Sequence, residues 1–119
     1  MHKIDPTRKL ELVRDFWSPK AIGAVNDFLV KVVKLQGEFV WHSHETEDEL
    51  FFVLRGTLLM QFRDGEVAVG PGELIIVPHG VEHRPVADEG EDCILLVAGE
   101  GPSLPHSTLG KIVAKLIRF

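Results

Sequence analysis

The sequence has little cysteine, no long apolar run and no excess of positive charge, and each shortage excludes a class of protein. Its single cysteine, Cys93, excludes an internal disulfide framework and a zinc site made of cysteines alone. With 13 basic and 18 acidic side chains the net charge is -5, which disfavours nucleic acid as a partner, because Lys and Arg bind phosphates. No stretch reaches the roughly 20 apolar residues of a membrane-spanning helix, and residues 1–10 lack the apolar core of a signal peptide. We therefore expect a cytoplasmic protein that binds neither nucleic acid nor a membrane.

The length of 119 residues is typical of one compact domain. Glycine and proline punctuate the middle of the chain at short intervals, and the runs between them are rich in Val, Leu, Ile and Phe. This pattern indicates an antiparallel all-β barrel or sandwich, and no segment of helix length separates the runs as a parallel sheet would require. The predicted strands are 27–35, 38–44, 49–54, 57–63, 66–69, 74–77, 82–86 and 93–98.

The two ends of the chain differ from this pattern. The Asp5-Pro6 dipeptide predicts the start of a short helix that carries Leu10, Val13 and Trp17 on one face. At the other end, apolar residues with helical spacing predict an amphipathic helix over 107–119. A helix this short is marginal alone in water, so we expect its apolar face to dock on the barrel or on a second subunit.

Six histidines against one cysteine indicate a metal site with nitrogen ligands. His42 and His44 are two residues apart, so on a strand both side chains leave the same face and can reach one ion. If the chain turns after His44 and returns as the next strand, Glu49 lies beside the pair. His79 and His83 form a second cluster after a later strand. A metal site of imidazoles and one carboxylate is therefore available.

Two motifs that contain these residues resemble the signatures of the cupin superfamily. The first comprises Gly37, His42, His44, Glu49 and Gly56, and the second comprises Gly72, Pro78-His79-Gly80 and His83. The surrounding residues are similar to small single-domain bacterial cupins labelled mannose-6-phosphate isomerase-like, a label of sequence similarity and not of activity. The chain departs from the family pattern at Ala87, where cupins often have an asparagine that is not a metal ligand.

The resemblance implies an antiparallel double-stranded β-helix, the jelly-roll or cupin barrel, with one divalent metal inside. The barrel would fill residues 27–98 of a single domain 1–119, with metal motifs at 37–56 and 72–87. Residues 1–26 would form an N-terminal arm, and 107–119 the C-terminal helix.

The resemblance implies four metal ligands, which are His42, His44, Glu49 and His83. Three imidazoles and one carboxylate suit Zn, Mn, Fe, Ni, Co or Cu, and the ligand set does not choose between these metals. Glu47 and Asp48 are close enough in sequence to take the place of Glu49. The remaining histidines have no expected role in metal binding; they are His2, His79 and His106.

Two classes of function are compatible with such a metal. In an enzyme, a metal with two open positions would chelate a small oxygen-rich metabolite for isomerase-like or dioxygenase-like chemistry. In a binding or sensing module, the barrel would hold a small ligand or the metal without turnover. The sequence identifies no catalytic residue, and Phe51, Met60 and Gln61 are candidate pocket residues. Few Lys and Arg are expected at inward positions, which argues against a phosphorylated sugar as substrate.

The predicted strand 49–54 is apolar on both faces and therefore needs cover on both. If Glu49 points into the barrel, Phe51 and Val53 do so too, and the residues between them face outward. By the same alternation Phe39 and Trp41 are expected to oppose the histidine face. We expect the N-terminal segment or a second subunit to cover the outer face, and the second alternative predicts a homodimer.

Overall fold

The computed structural model of the chain describes residues 1–87, 93–100 and 117–118, which contain one short helix and ten strands. The helix, α1, is Pro6–Leu10. The strands are β1 Lys20–Val25, β2 Phe28–Leu35, β3 Gly37–Glu38, β4 Glu49–Arg55, β5 Leu58–Phe62, β6 Gly65–Val69, β7 Leu74–Val77, β8 His83–Ala87, β9 Cys93–Glu100 and β10 Ile117–Arg118. No helix within these residues is long and apolar enough to cross a membrane.

The strands form two sheets, one in the order β10-β1-β2-β9-β4-β7 and one in the order β3-β8-β5-β6. The strands pair antiparallel except for β1 with β10, where residues 20–21 run parallel to 117–118. The expected antiparallel all-β architecture is therefore confirmed. Side chains from both sheets form one apolar core, which contains Val33, Leu35, Phe51, Val53, Leu58, Met60, Val69, Val77 and Ala87.

Strand β4 packs against apolar side chains on both of its faces. Glu49, Phe51 and Val53 are buried, while the residues between them are half-buried, as the period of a strand requires. On the outer side, Leu54 packs against a second apolar cluster, which consists of Leu10, Val13, Val32 and Ile22. The N-terminal segment therefore covers part of the outer face, as expected.

The helix that starts this segment is capped as the sequence predicts. The carboxylate of Asp5 accepts hydrogen bonds from the backbone N–H groups of Thr7 at 3.1 Å and Arg8 at 3.4 Å. Trp17, however, is not on the helix, because the helix ends after Leu10 and Trp17 has a left-handed backbone with φ of 58°. Its backbone N–H donates to the carbonyl of Lys34, which places the indole beside β2.

The ends of the chain depart from the expected arm and helix. Part of the expected arm 1–26 forms β1, which pairs with β2 and so extends the larger sheet. Most of the predicted C-terminal helix lies outside the described residues. At 117–118 the structure has the strand β10 instead, where the edge of β1 offers backbone groups for pairing.

The segment predicted as the strand 38–44 is regular only at Gly37–Glu38. The backbone N–H of Phe39 donates to the carbonyl of Pro85, and the next pairing joins His42 to His83. Three residue steps on one side therefore oppose two on the other, which is the signature of a β-bulge. Pro85 lacks an N–H group, so the ladder cannot continue through it in the regular way.

Candidate metal centre

Four side chains of the ligand type come together inside the barrel, His42, His44, Glu49 and His83. One nitrogen or oxygen atom from each lies within 4.8 Å of the others. Glu49 is the first residue of β4, and His83 is the first residue of β8. His42 and His44 precede the loop that leads into β4. Residues distant in sequence therefore meet at one end of the two sheets.

Backbone pairing holds His42 and His83 side by side. The N–H of His42 donates to the carbonyl of His83 at 3.0 Å, and the N–H of His83 donates to the carbonyl of His42 at 2.9 Å. Each imidazole then donates its Nδ1–H to a carbonyl two residues earlier, Val40 for His42 and Val81 for His83, both at 2.9 Å. A carbonyl only accepts, so Nδ1 carries the hydrogen and Nε2 of the neutral ring presents its lone pair.

The loops that carry the other groups are joined to each other. The backbone N–H of Gly80 donates to the carbonyl of His44 at 2.7 Å. The carboxylate of Asp48 lies 2.8 Å from both the backbone nitrogen and Nδ1 of His79. These contacts connect the loop before β4 to the turn before β8. The side chains of Asp48 and His79 are both 60% exposed, so they lie away from the buried cluster.

The carboxylate of Glu49 is the centre of the cluster. Its Oε1 lies 2.7 Å from Nε2 of His44 and 3.3 Å from Nε2 of His83. These three atoms are fully buried, and none has a hydrogen bond of ordinary geometry within the described part of the chain. A buried polar atom without a partner lowers the free energy of unfolding by about 1–3 kcal/mol. Three such atoms at one point therefore destabilise the folded chain. A divalent cation would satisfy all three at once, and the donor set therefore fits a metal ion.

The charges of the cluster shift the pKa values of its members. Burial lowers the pKa of His42 below its usual value. The contact with Glu49 raises the pKa of His44, against the effect of burial. Burial alone would raise the pKa of Glu49, but the imidazoles of His44 and His83 outweigh it and bring this pKa to about 2. Glu49 is therefore an anion at neutral pH.

A pocket leads to the cluster, and His42 and Glu49 are part of its lining. The pocket is open to solvent, and its volume is about 480 Å³ when the open mouth is included. The rest of the lining is mainly apolar and includes Trp17, Val33, Leu35, Phe39, Phe51 and Pro85. A ligand in this pocket would meet an apolar wall and a polar floor.

Phe39 lines the pocket, which the alternation of side chains along a strand does not predict. It was expected to oppose the histidine face, but its ring centroid is 5.3 Å from that of His42 and it lines the same pocket. The bulge adds one residue between the two, so both side chains leave the same side. Trp41 does oppose the histidines, and the guanidinium carbons of Arg63 and Arg84 lie 3.9 Å and 5.1 Å from the centroid of its ring.

The candidate pocket residues have different positions. Phe51 lines the pocket, and its ring centroid is 6.4 Å from that of His83. Met60 is fully buried in the apolar core, and Gln61 hydrogen-bonds to Glu66 and Arg84 outside the pocket lining.

Of the two acidic residues considered as substitutes for Glu49, neither is in the cluster. Asp48 is engaged with His79, as described above. The hydrogen bonds from the backbone and the ring of His79 also lower the pKa of Asp48.

Sequence reasoning missed most of the pocket lining, including Trp17 and Lys31. Lys31 could have been found, because it alternates with Val33 and Leu35 on β2 and so shares their inward face. It is the one basic residue in the described lining of the pocket that carries a permanent side-chain amine, in keeping with the expectation of few Lys and Arg at inward positions. Trp17 gave no such signal, because it lies outside a regular element.

The chain matches the cupin domain family, Cupin_2, over residues 28–99. The uncharacterized protein YdbB of Bacillus subtilis is 43% identical over 65 residues, which are 54% of this chain and 58% of that protein. The anti-sigma-E factor ChrR of Cereibacter sphaeroides is 40% identical over 71 residues, which are 60% of this chain and 32% of that protein. The chain therefore spans less than two thirds of either curated relative.

The fold has a similar counterpart among crystal structures. A cupin-2 domain containing protein from Shewanella frigidimarina is 41% identical and superimposes with a TM-score of 0.76. The superposition covers 80% of this chain and 91% of the other.

Proposed function

This chain belongs to the cupin family, and from that premise we propose that it binds one divalent transition metal and acts as an enzyme on a small oxygen-rich metabolite. The proposed ligands are His42, His44, Glu49 and His83. The observation that carries the proposal is that buried Nε2 and carboxylate atoms without partners converge next to an open pocket, which His42 and Glu49 of the same cluster line. A closed structural site would not need access to solvent, whereas a catalytic site does.

The residues of the chain have distinct parts in this proposal. His42 and His83 are oriented by their Nδ1–H bonds, so their Nε2 atoms are available as ligands without rearrangement. Glu49 supplies the negative charge that a cation requires. When bound, a metal would serve as a Lewis acid toward an oxygen of the substrate, in isomerase-like or dioxygenase-like chemistry. The apolar wall would exclude water from the reacting atoms.

The likeness to a segment of an anti-sigma factor favours a second candidate function. In this alternative the barrel holds the metal or a small ligand without turnover and reports its presence to another protein. The same four residues would bind the metal in both cases. The two candidates differ only in whether a bound molecule is converted.

Two measurements on the same preparation test the proposal. Elemental analysis of protein purified without chelators or an affinity tag should show about one transition metal per chain. Turnover of a panel of small diketones, phenols and sugars in air should then be detectable with that metal and absent after its removal. Metal without turnover of any panel member would favour the binding module, and absence of metal after reconstitution with each candidate ion would refute the metal site on which the enzyme and the metal-binding module depend.

A further inference from the structure

A basic side chain lines the same pocket as the candidate ligands. Lys31 lies in the middle of β2 on the face that it shares with Val33 and Leu35. Its side chain is half-buried. The negative charges that act on it are those of Glu49 and Glu47, and burial outweighs them and lowers its pKa. An ammonium group is thus held in the wall of a mainly apolar pocket.

The charge balance of this pocket favours an anion. The ionisable side chains in its described lining are Lys31, His42 and Glu49. Neutral imidazoles add no charge, so a divalent metal beside one carboxylate leaves an excess of one positive charge. Lys31 adds a second, which the negative charge of Glu47 offsets in part. Charges act more strongly beside an apolar wall than in open water, and a neutral molecule could not use this attraction.

The shape and chemistry of the wall favour an apolar body attached to that anion. The rings of Trp17 and Phe39 stack with centroids 4.7 Å apart and planes inclined by 20°. Phe51 lines the pocket nearer to the ligand cluster. The described lining contains one lysine and no arginine. It would bind a phosphate group weakly, because phosphate usually accepts hydrogen bonds from several donors. A single carboxylate matches one ammonium group and a metal better.

We propose that the pocket takes a small organic acid whose carboxylate lies between Lys31 and the metal centre and whose ring-bearing body packs against Trp17 and Phe39. The inference rests on the proposed function, because the metal centre is the second group that attracts the carboxylate. It makes Lys31 a residue that determines specificity, since it separates acids from neutral molecules of the same shape.

Calorimetry with a matched pair of probes tests this inference. Mandelate is a 2-hydroxy acid with a phenyl body, and its amide has nearly the same shape without the charge. Cobalt-loaded protein should bind mandelate roughly tenfold or more tightly than the amide. The variant Lys31→Met should show a clearly smaller difference, because only the metal centre then attracts the carboxylate, while it keeps its affinity for the amide, and Lys31→Arg should restore much of the difference. The visible spectrum of the cobalt should change when mandelate binds.

Lys34→Met is the matched control, because Lys34 lies on the same strand three residues later and therefore on the opposite face. It should bind mandelate as the wild-type protein does. The inference is overturned if Lys31→Met binds mandelate normally, if Lys34→Met loses as much affinity, or if the wild-type protein does not distinguish acid from amide. The cobalt content of every sample is measured separately. Failure to hold cobalt refutes the proposed metal centre, whereas full cobalt content without a Lys31 effect refutes this inference alone.

Discussion

At the scale of single residues, the candidate metal centre depends on Nδ1 of two of its imidazoles, the ring nitrogen that points away from the cluster. His42 and His83 each donate Nδ1–H to the carbonyl two residues earlier, so the same local geometry occurs in both motifs. This fixes which nitrogen faces the cluster before any metal arrives. His44 is oriented instead by its contact with Glu49. Substitution of a ligand should therefore affect the metal far more than substitution of an exposed histidine nearby.

We expect His44→Ala to lose most of the bound metal, because it removes a nitrogen at the centre of the cluster. His79→Ala is the matched control, since His79 is exposed and contacts Asp48 instead of the cluster. Elemental analysis of both variants after the same purification checks this expectation. Equal metal content in the two variants would contradict the ligand assignment.

Metal affinity should also depend on pH in one direction. Ligating imidazoles must be neutral, so protons compete with the metal as the pH falls through about 6.5. Competition should begin above this value at His44, whose pKa is raised by Glu49. Glu49 itself does not contribute, because its pKa of about 2 keeps it ionised throughout. Dissociation constants for cobalt measured between pH 8 and pH 5 should rise steeply toward acid, and a constant value would count against imidazole ligands.

At the scale of elements, tight turns position the strands that carry the ligands. The turn between β6 and β7 brings the backbone N–H of Gly72 within 2.8 Å of the carbonyl of Val53 on β4. Gly72 has φ of 80°, in the left-handed region that side chains rarely adopt. Nothing lies within 4 Å of the position that a Cβ atom would take, so the constraint here is conformational and not steric.

Gly72→Ala should therefore lower the free energy of unfolding by about 1 kcal/mol through backbone strain. Gly70→Ala is the comparison, because Gly70 has no positive φ and its added Cβ would meet only the flexible side chain of Glu73 at 3.1 Å. Urea denaturation of the two variants checks the difference. A larger loss at Gly70 than at Gly72 would show that strain at the turn is not the dominant effect.

At the scale of the whole molecule, the larger sheet exposes apolar side chains on its outer face. Leu74 and Ile76 are 53% and 54% exposed. They pair in register with Phe52 and Leu50 of β4, which are half-buried, so the four side chains lie together. The N-terminal segment covers Leu54 but leaves these four as an apolar patch. Such patches often mark contacts between protein chains.

We propose that a second copy of the chain covers this patch, which gives a homodimer. Sedimentation at micromolar concentration should show a dimer for the wild-type protein and a monomer for the variant with Leu74→Glu and Ile76→Glu, because two buried charges would oppose association. Val67→Glu is the control, since Val67 is also exposed but lies on β6 in the other sheet. A wild-type monomer, or a control that also dissociates, would refute the proposal.

The sequence predicted most strands of the barrel within a residue or two, because period-two patterns and turn residues are local signals. The strand 38–44 was not predicted correctly, since the bulge opposite Pro85 depends on a partner strand more than 40 residues away. The same bulge placed Phe39 in the pocket. Strand β1 was not predicted, because the burial of its residues follows no simple alternation.

By itself, the sequence determined the class of fold, the family and the four residues that form the cluster, because motif spacing and strand period are properties of the chain alone. Tertiary structure decided what those residues face. Only the hydrogen bonds from Nδ1 of His42 and His83 to the carbonyls of Val40 and Val81 show which ring nitrogens are available. Only the sheet order, in which β9 pairs with both β2 and β4, places Lys31 near Glu49. Proximity between strands distant in sequence is set by sheet order, which local patterns do not encode.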